Sequence, residues 1–226
     1  MKKYLLFILL PVFLIAVVAL SVYFFYFKNK QQAFNYNDEA SVFSVNIPDD
    51  FDSDRLQRLE EKKQQALNLY RTAKDDNWTW VVIGNYHEYA KDYSKAIKDY
   101  EKVLELNPGD IMALSNLAHI YEGQLQDYVK AEEFYQKSIQ ASPSNYQLYI
   151  DLALMYENKM QKPTLAVTTY LEGLKNNPDH PNLLIPLIRY YKKQGDMLET
   201  KKYAQMLLQK YPDNQQYLNE FGSLAQ

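Results

Sequence analysis

The sequence contains no cysteine, only six glycines and no excess of positive charge. The lack of cysteine excludes disulfide bonds, thiolate chemistry and cysteine-ligated zinc sites. The formal net charge is -3, so the basic face that nucleic-acid binding requires is missing and we expect no nucleic-acid partner. So few glycines among 226 residues suit a helical protein with short turns.

A long apolar segment lies close to the N-terminus. Residues 4–27 contain no charged side chain, and two lysines flank the segment on each side. At about 1.5 Å per residue, a helix of this length exceeds the hydrocarbon core of a bilayer, which is about 30 Å thick. Residues 23–27 are all aromatic and suit the headgroup region at the end of such a helix. The pattern predicts a single-pass transmembrane signal-anchor over residues 1–30.

A cleaved signal peptide is the alternative for this segment, with Ala19, Leu20 and Ser21 as a small-x-small cleavage site. The apolar run continues to Phe27, beyond the apolar length typical of signal peptides, which favours a retained anchor. The lysines balance across the segment, and the α-amino group adds one positive charge on the N-terminal side. The positive-inside rule then predicts a protein of the cell membrane whose later residues lie on the extracytoplasmic side.

Residues 31–53 are expected to form a spacer, since they mix polar and scattered apolar residues without a helical period. The apolar side chains leave two alternatives open, docking onto the domain that follows or a solvated tether. Residues 54–76 predict a lead-in helix with Asp52 or Ser53 as its N-cap. One face of this helix is expected to cover the next element, through Leu56, Leu59, Ala66, Tyr70 and Ala73.

The rest of the chain repeats with a period of 34 or 35 residues, marked by Pro108, Pro143, Pro178 and Pro212. A period in this range indicates a solenoid of stacked helix pairs. It divides the chain into four helix–turn–helix units, residues 77–110, 111–145, 146–180 and 181–214. Residues 215–226 predict a capping helix, because the last apolar face of a solenoid needs a cover.

Small residues, aromatic residues and proline recur at fixed positions of these units. The small pairs are Gly84 with Ala96, Ala118 with Ala131, and Ala153 with Ala166, and the aromatic residues include Tyr100, Tyr121, Tyr135, Tyr156 and Tyr170. The pattern resembles the tetratricopeptide repeat family over residues 77–212. The resemblance implies an all-α fold, an α-solenoid over residues 77–226 whose small residues let helices A and B of each repeat approach closely. His87 stands where the family usually has tyrosine, and we expect it to be packed in the core.

The connections between helices carry capping residues. Helix B is expected to be capped by Asp92, Asp127 and Asp196 and the next helix A by Asp110, Asn145 and Asn214, whereas Pro163 opens helix B of the third repeat. The second and third repeats each have one extra residue in the A–B turn. The fourth repeat departs from the pattern, with Ile188 and Thr200 at small positions and Pro186 expected to kink helix A.

The sequence shows no pattern typical of an enzyme. None of the three histidines has a second histidine at i+3 or i+4, and no phosphate loop, nucleophile elbow or carboxylate pair appears. His119 with Glu122 is a weak metal signal, and groove or surface polarity explains the pair better. We therefore expect no catalysis, no metal and no cofactor.

In the tetratricopeptide repeat family, helix A of each repeat lines a concave groove that binds a peptide or protein. The corresponding residues are Trp78, Val81, Asn85, Glu88 and Tyr89 in the first repeat, Met112, Ser115, His119 and Glu122 in the second, Gln147, Ile150, Leu154, Glu157 and Asn158 in the third, and Asn182, Ile185, Arg189, Lys192 and Lys193 in the fourth. Family members that bind chaperone C-termini use a clamp of Lys, Asn, Asn, Lys and Arg. Here Asn85 and Asn116 match, but Val81, Gln147 and Asp151 occupy the cationic positions, so that role is not assigned.

These features predict a membrane-tethered scaffold for protein–protein interaction, which grips a peptide or partner helix in the groove. Assembly or secretion at the cell envelope is the expected setting, by likeness to single-pass tetratricopeptide proteins of bacterial envelopes. That likeness rests on architecture and not on a motif. The alternative is a structural subunit of a membrane complex that self-associates as a homo-oligomer through its fourth repeat and cap.

Overall fold

The computed structural model describes residues 35–226, and the chain divides into two compact units at residues 46 and 47. The described part of the first unit contains one short helix, α1 (Glu39–Phe43), whose N-cap Asp38 accepts a hydrogen bond from the backbone N–H of Ala40. The sequence predicted no helix in this spacer. A helix of five residues is too short to produce a visible period, and only its capping aspartate marks it.

The predicted transmembrane segment, residues 4–27, lies outside the described residues. Among the helices of residues 35–226, none combines the length and the apolar character needed to span a bilayer. The prediction of a membrane anchor therefore stays a prediction.

The second unit is an all-α array of helix pairs that follows a lead-in helix. The lead-in helix α2 covers Ser53–Thr72. The four pairs are α3 (Asn77–Tyr89) with α4 (Tyr93–Leu106), α5 (Ile111–His119) with α6 (Tyr128–Ala141), α7 (Tyr146–Asn158) with α8 (Pro163–Asn176), and α9 (Pro181–Gln194) with α10 (Met197–Lys210). The chain ends with α11 (Gln215–Phe221) and a 3₁₀ turn, Gly222–Leu224.

The predicted capping residues are confirmed. The side chains of Asp92, Asp127 and Asp196 accept hydrogen bonds from backbone N–H groups three residues later, at 3.1–3.2 Å, and so begin α4, α6 and α10. Asp110 and Asn214 likewise accept from N–H groups three residues later and begin α5 and α11, and Asn145 accepts from the N–H of Gln147, two residues later, and begins α7. Pro163 is the first residue of α8, as expected. These six helices therefore start where the sequence supplies a side-chain partner for an unpaired N–H group, whereas α8 and α9 begin with a proline and have no side-chain cap.

Each A–B turn passes through one residue with a positive φ angle: Lys91 (61°), Gln126 (53°), Gln161 (56°) and Gly195 (76°). In the first repeat, the next residue donates its N–H to a carbonyl five residues back, from Asp92 to His87 at 2.9 Å. In the second repeat the corresponding bond reaches six residues back, from Asp127 to Tyr121, also at 2.9 Å. The extra residue thus lengthens the connection and leaves the helix pair intact.

The second repeat absorbs its extra residue in a different way from the one expected. Helix α5 continues as a π-helix, Ile120–Gln124, in which Leu125 donates its N–H to the Ile120 carbonyl at 3.1 Å. A one-residue insertion widens the last turn of helix A in this way, as π-bulges commonly do. In α9, by contrast, the helix runs from Pro181 to Gln194 straight through Pro186, so this proline does not end it.

Small residues lie where helices A and B cross. A Cβ atom on Gly84 would lie 2.6 Å from Cε1 of Tyr100, so only glycine permits this approach. The five alanines of the small pairs are all buried. In the fourth repeat Ile188 and Thr200 are fully buried at the same positions, and Thr200 Oγ1 donates to the Asp196 carbonyl at 2.6 Å. The fourth pair therefore accommodates larger residues while keeping the same arrangement.

The lead-in helix packs on the first repeat. Tyr70 contacts Trp80 edge-to-face with ring centroids 6.2 Å apart, and Trp80 Nε1 donates to the Lys74 carbonyl at 2.9 Å. Leu59 and Ala66 are buried as predicted, but Leu56 is 40% exposed, so its assignment to the packed face was wrong. Leu56 lies in the first turn of α2, before the helix reaches its neighbour.

Candidate functional site

The predicted groove residues lie on helices α3, α5, α7 and α9 and on the π-helical end of α5. All but one of them are at least partly exposed, including Trp78 (46%), Met112 (47%) and Leu154 (42%). The exception is Val81, which is 1% exposed and offers no surface to a ligand. We define the groove as the remaining exposed residues of these helices.

A hydrogen-bonded cluster forms the groove floor in the first repeat. The hydroxyl of Tyr100, which reaches across from α4, is 2.7 Å from Asn85 Oδ1 and 2.8 Å from Glu88 Oε2. Asn116 of the next repeat donates to Asn85 at 3.3 Å. Burial, with the nearby Glu88 carboxylate, raises the pKa of the Tyr100 hydroxyl, so it remains a donor. These contacts fix the orientation of Asn85 and Glu88.

The second repeat has a similar arrangement around His119. The Tyr135 hydroxyl donates to Glu122 at 2.7 Å, and the Tyr135 ring meets the imidazole edge-to-face at 5.8 Å. His119 Nε2 lies 3.7 Å from Asp151 Oδ2, and Gln147 donates to the other Asp151 oxygen at 2.8 Å. The Asp151 carboxylate, helped by Glu122 and Glu88, raises the pKa of His119. His119 therefore pairs with Asp151 of the third repeat.

A cavity of about 340 Å³ lies at the far end of the groove, between the third and fourth repeats. Its walls come from α7, α8 and α9, and the residues are Leu154, Glu157, Pro163, Ala166, Val167, Tyr170, Pro186, Arg189, Tyr190, Lys193 and Gln194. Four of these were predicted groove residues: Leu154, Glu157, Arg189 and Lys193. The others lie on α8 or at other positions of α9, which the pattern carried over from the family does not include.

The near end of the groove is partly covered by the segment before α2. Phe51 contacts the Tyr89 ring edge-to-face with ring centroids 5.9 Å apart, and Lys62 Nζ lies over the Tyr89 ring, 5.3 Å from its centroid. Asp50 binds Lys91 at 2.6 Å. The end of the predicted spacer thus packs on the first repeat, and Tyr89 is only partly exposed.

A buried polar pair links the two helices of the first repeat. His87 Nδ1 and Asp99 Oδ2 share a short hydrogen bond, and both side chains are fully buried. Asp99 Oδ1 has no hydrogen-bond partner. Burial raises the pKa of Asp99 and outweighs the lowering effect of His87. The expectation that His87 is a packed core residue is confirmed, but its partner could not be recognised from the sequence.

No group of three side chains capable of holding a metal ion occurs in residues 35–226.

Three family models described as tetratricopeptide repeat match the chain, over residues 78–110, 99–133 and 188–214. These matches fall on the helix pairs described above. Residues 78–133 and 188–214 of this chain therefore carry tetratricopeptide repeats. Repeats of this kind build the extended concave surfaces with which helical solenoids bind their partners.

A segment of this chain is similar to a curated protein, the photosystem I assembly protein Ycf3 of Cyanophora paradoxa. The two share 36% identity over 64 residues, which are 28% of this chain and 37% of the relative. The chain thus spans well under half the length of that relative.

Two solved structures share the fold at low sequence identity. The crystal structure of MamA has 18% identity and a TM-score of 0.54, covering 73% of this chain and 92% of the other. The structure of YrrB, titled a TPR protein with an unusual peptide-binding site, has 17% identity and a TM-score of 0.50, covering 70% and 81%. These likenesses concern the fold.

Proposed function

We propose that the protein is a membrane-tethered scaffold that binds an extended peptide or a partner helix along the groove. The observation that carries the proposal is the continuity of exposed helix-A residues over four repeats, which ends in a cavity of about 340 Å³. The floor is rigid, because hydrogen bonds hold Asn85 and Glu88 in place. A preformed groove binds with a small ordering cost.

Assembly or secretion at the cell envelope is the proposed setting. The apolar segment 4–27 supports a single-pass anchor, and the lysine distribution supports an extracytoplasmic position for the repeats. A similar relative is named as an assembly protein, which supports a role in assembly. Tethering would raise the effective concentration of the scaffold near membrane-bound partners.

The membrane side is testable because the chain has no cysteine. Ser223 is exposed, so a Ser223→Cys variant provides a single reactive thiol. Intact cells, with any outer membrane opened, are treated with a membrane-impermeant maleimide. Labelling before lysis is the expected result, whereas labelling only after lysis would place the repeats in the cytoplasm.

Groove binding is testable by site-specific photo-crosslinking of the full-length protein in cells. A photoreactive phenylalanine analogue replaces Met112 or Leu154, which are 47% and 42% exposed in the groove. The matched control replaces Glu133 on α6, whose side chain is 58% exposed. We expect adducts from the two groove positions and not from the control. Equal adducts from all three positions would refute groove binding.

Self-association is the second candidate function, and exposed apolar residues of the fourth repeat favour it. Met197 and Leu198 are 55% and 78% exposed at the start of α10. Phe221 of the cap is 2% exposed, so the cap contributes less to such a contact than the sequence suggested. Sedimentation of the full-length protein in detergent should show a dimer or larger species that Leu198→Glu converts to monomer. A monomeric parent protein would exclude this candidate.

A further inference from the structure

The cavity between the third and fourth repeats has an apolar interior. Leu154 of α7 forms part of its rim at 42% exposure, whereas Val167 and Tyr170 of α8 form a floor that is almost fully buried. Pro186 and Tyr190 of α9 line the opposite wall. Binding pockets for small molecules span about 300–1,000 Å³. A cavity of about 340 Å³ is therefore suited to one or two side chains of a bound peptide.

The charges around the cavity differ between its two walls. On the α9 side Arg189, Lys192 and Lys193 are all exposed. Arg189 is paired with Glu220 at 2.8 Å, but no carboxylate of the described residues is paired with Lys192 or Lys193. On the α7 side the exposed charge is the Glu157 carboxylate. A ligand carboxylate is therefore favoured along α9 and disfavoured along α7.

The rest of the groove has the opposite charge. Glu88 and Glu122 occupy the corresponding positions of the first two repeats, and both accept tyrosine hydroxyls. Asp151 adds a third carboxylate beside His119. Lys192 takes the position of these glutamates in the fourth repeat. An acidic ligand segment would thus be repelled by the first three repeats and attracted only by the fourth.

The backbone of α9 adds a polar group near the cavity. Pro186 lies inside the helix and has no N–H, so the carbonyl of Asn182 lacks its usual partner four residues later. Asn182 is itself exposed. An N–H group of a peptide that lies along α9 can take the place of the missing donor.

We propose that this cavity binds an extended peptide segment in which an apolar side chain is adjacent to an acidic residue. The apolar side chain fills the space above Val167 and Tyr170, and the carboxylate binds Lys193 with Arg189 nearby. Glu220 competes for Arg189, which leaves Lys193 as the main cationic contact. The inference rests on the proposed function, since it specifies which segment the groove selects and at which end.

The test uses the full-length protein in lipid nanodiscs and a phage-displayed library of random peptides. We expect the enriched peptides to carry Leu, Met or Phe within two positions of Asp or Glu. One enriched peptide is then labelled with a fluorophore, and its affinity is measured by anisotropy. Lys193→Glu should weaken binding about 10-fold, because it removes an attraction for the ligand carboxylate and adds a repulsion. Leu154→Gln should weaken it several-fold.

Two controls make the result specific. Lys175→Glu, at an exposed position of α8 outside the cavity, changes the net charge equally and should leave the affinity within twofold of the parent. A peptide whose acidic residue is replaced by lysine should bind the Lys193→Glu variant better than it binds the parent protein. This reciprocal exchange identifies the contact, since a variant that fails to fold would bind neither peptide.

The outcomes separate this inference from the function on which it rests. Enriched peptides that lack the apolar–acidic signature, or whose binding responds to Met112→Ala but not to Lys193→Glu or Leu154→Gln, would overturn the inference and leave groove binding intact. A failure to enrich any peptide, together with an absence of groove adducts in the photo-crosslinking experiment, would overturn both.

Discussion

The buried pair of His87 and Asp99 allows a sharp test of how the first repeat is stabilised. An ionised Asp99 would leave a buried negative charge whose second oxygen, Oδ1, has no hydrogen-bond partner. The protonated acid leaves only a neutral oxygen unpaired and can donate to His87 Nδ1. Asparagine has nearly the same shape as the protonated acid and offers the same donor. We therefore propose Asp99→Asn and Asp99→Ala as the two informative substitutions.

The expected magnitudes follow from the contacts. Asp99→Asn preserves the hydrogen bond to His87 and should change the free energy of unfolding at pH 7 by about 1 kcal/mol or less. Asp99→Ala removes the bond and creates a small cavity at a fully buried site. The loss of a partner from a buried polar pair costs about 3–5 kcal/mol when the remaining group is charged, and about 1–3 kcal/mol when it is neutral. We expect about 2–4 kcal/mol for the alanine variant.

The assay is urea unfolding of the full-length protein in detergent, followed by tryptophan fluorescence. Both tryptophans, Trp78 and Trp80, lie in α3, the helix that carries His87, so the signal reports on the first repeat. Comparable losses of stability in the asparagine and alanine variants would refute the view that Asp99 is protonated and that the pair with His87 is neutral. They would show instead that an ionised Asp99 is held by a protonated His87.

The pH dependence provides an independent check. Burial raises the pKa of Asp99 above its ordinary value of 3.8 in the folded protein. The resulting stabilisation is fully present below pH 3.8 and is lost as the pH rises through the folded-state pKa. Since asparagine does not titrate, the stability of the parent relative to Asp99→Asn should fall over this range. If the stability of the parent relative to Asp99→Asn rose with pH, the pKa of Asp99 would be lowered and not raised in the folded protein.

Four further substitutions, one of them a control, test the helix packing by urea unfolding of the full-length protein in detergent, followed by circular dichroism, which reports on the helices of all repeats. Gly84→Ala should lower the free energy of unfolding by about 1–2 kcal/mol, since the added Cβ would lie 2.6 Å from the Tyr100 ring. The control Gly123→Ala should not lower it, because a Cβ added there has no atom within 4 Å. Gln161→Gly should raise it by up to about 1 kcal/mol, because φ is 56° there; a loss would contradict the strain argument. Pro186→Ala should raise it by about 1–3 kcal/mol by restoring a helical hydrogen bond, and no gain would show that the bond is already replaced.

The parts of the fold that could be predicted from the sequence depend on local chemistry. Asp92, Asp127 and Asp196 cap their helices with their own side chains, so each marks a helix start without knowledge of distant residues. Gly84 and the alanines of the small pairs recur with the period of the repeats. This repetition reveals the need for small residues where helices A and B cross, which a single small residue would not reveal. Helix pairs and their packing faces follow from such signals.

The parts that could not be predicted depend on contacts between repeats. Val81 is buried although its family position belongs to the groove. Asp151 of the third repeat contacts His119 of the second, and Phe51, which precedes the repeats, contacts Tyr89 of the first. The cavity depends on inward residues of three different helices. No local pattern encodes such distances, because each is set by how neighbouring repeats are stacked.

The positions of His87 and Asp99 are occupied differently in different repeats, by a hydrogen-bonded pair in the first and by packed aromatic rings in others. In the second repeat the corresponding residues, Tyr121 and Phe134, are stacked with ring centroids 5.5 Å apart. In the fourth repeat Tyr191 and Tyr203 are stacked at 5.7 Å. Since aromatic pairs fill these positions within the same architecture, the fold does not require a polar pair in the first repeat. A buried hydrogen-bonded pair is weak evidence for stability. The pair does favour one register of α3 against α4, because the hydrogen bond between His87 and Asp99 forms only in that register.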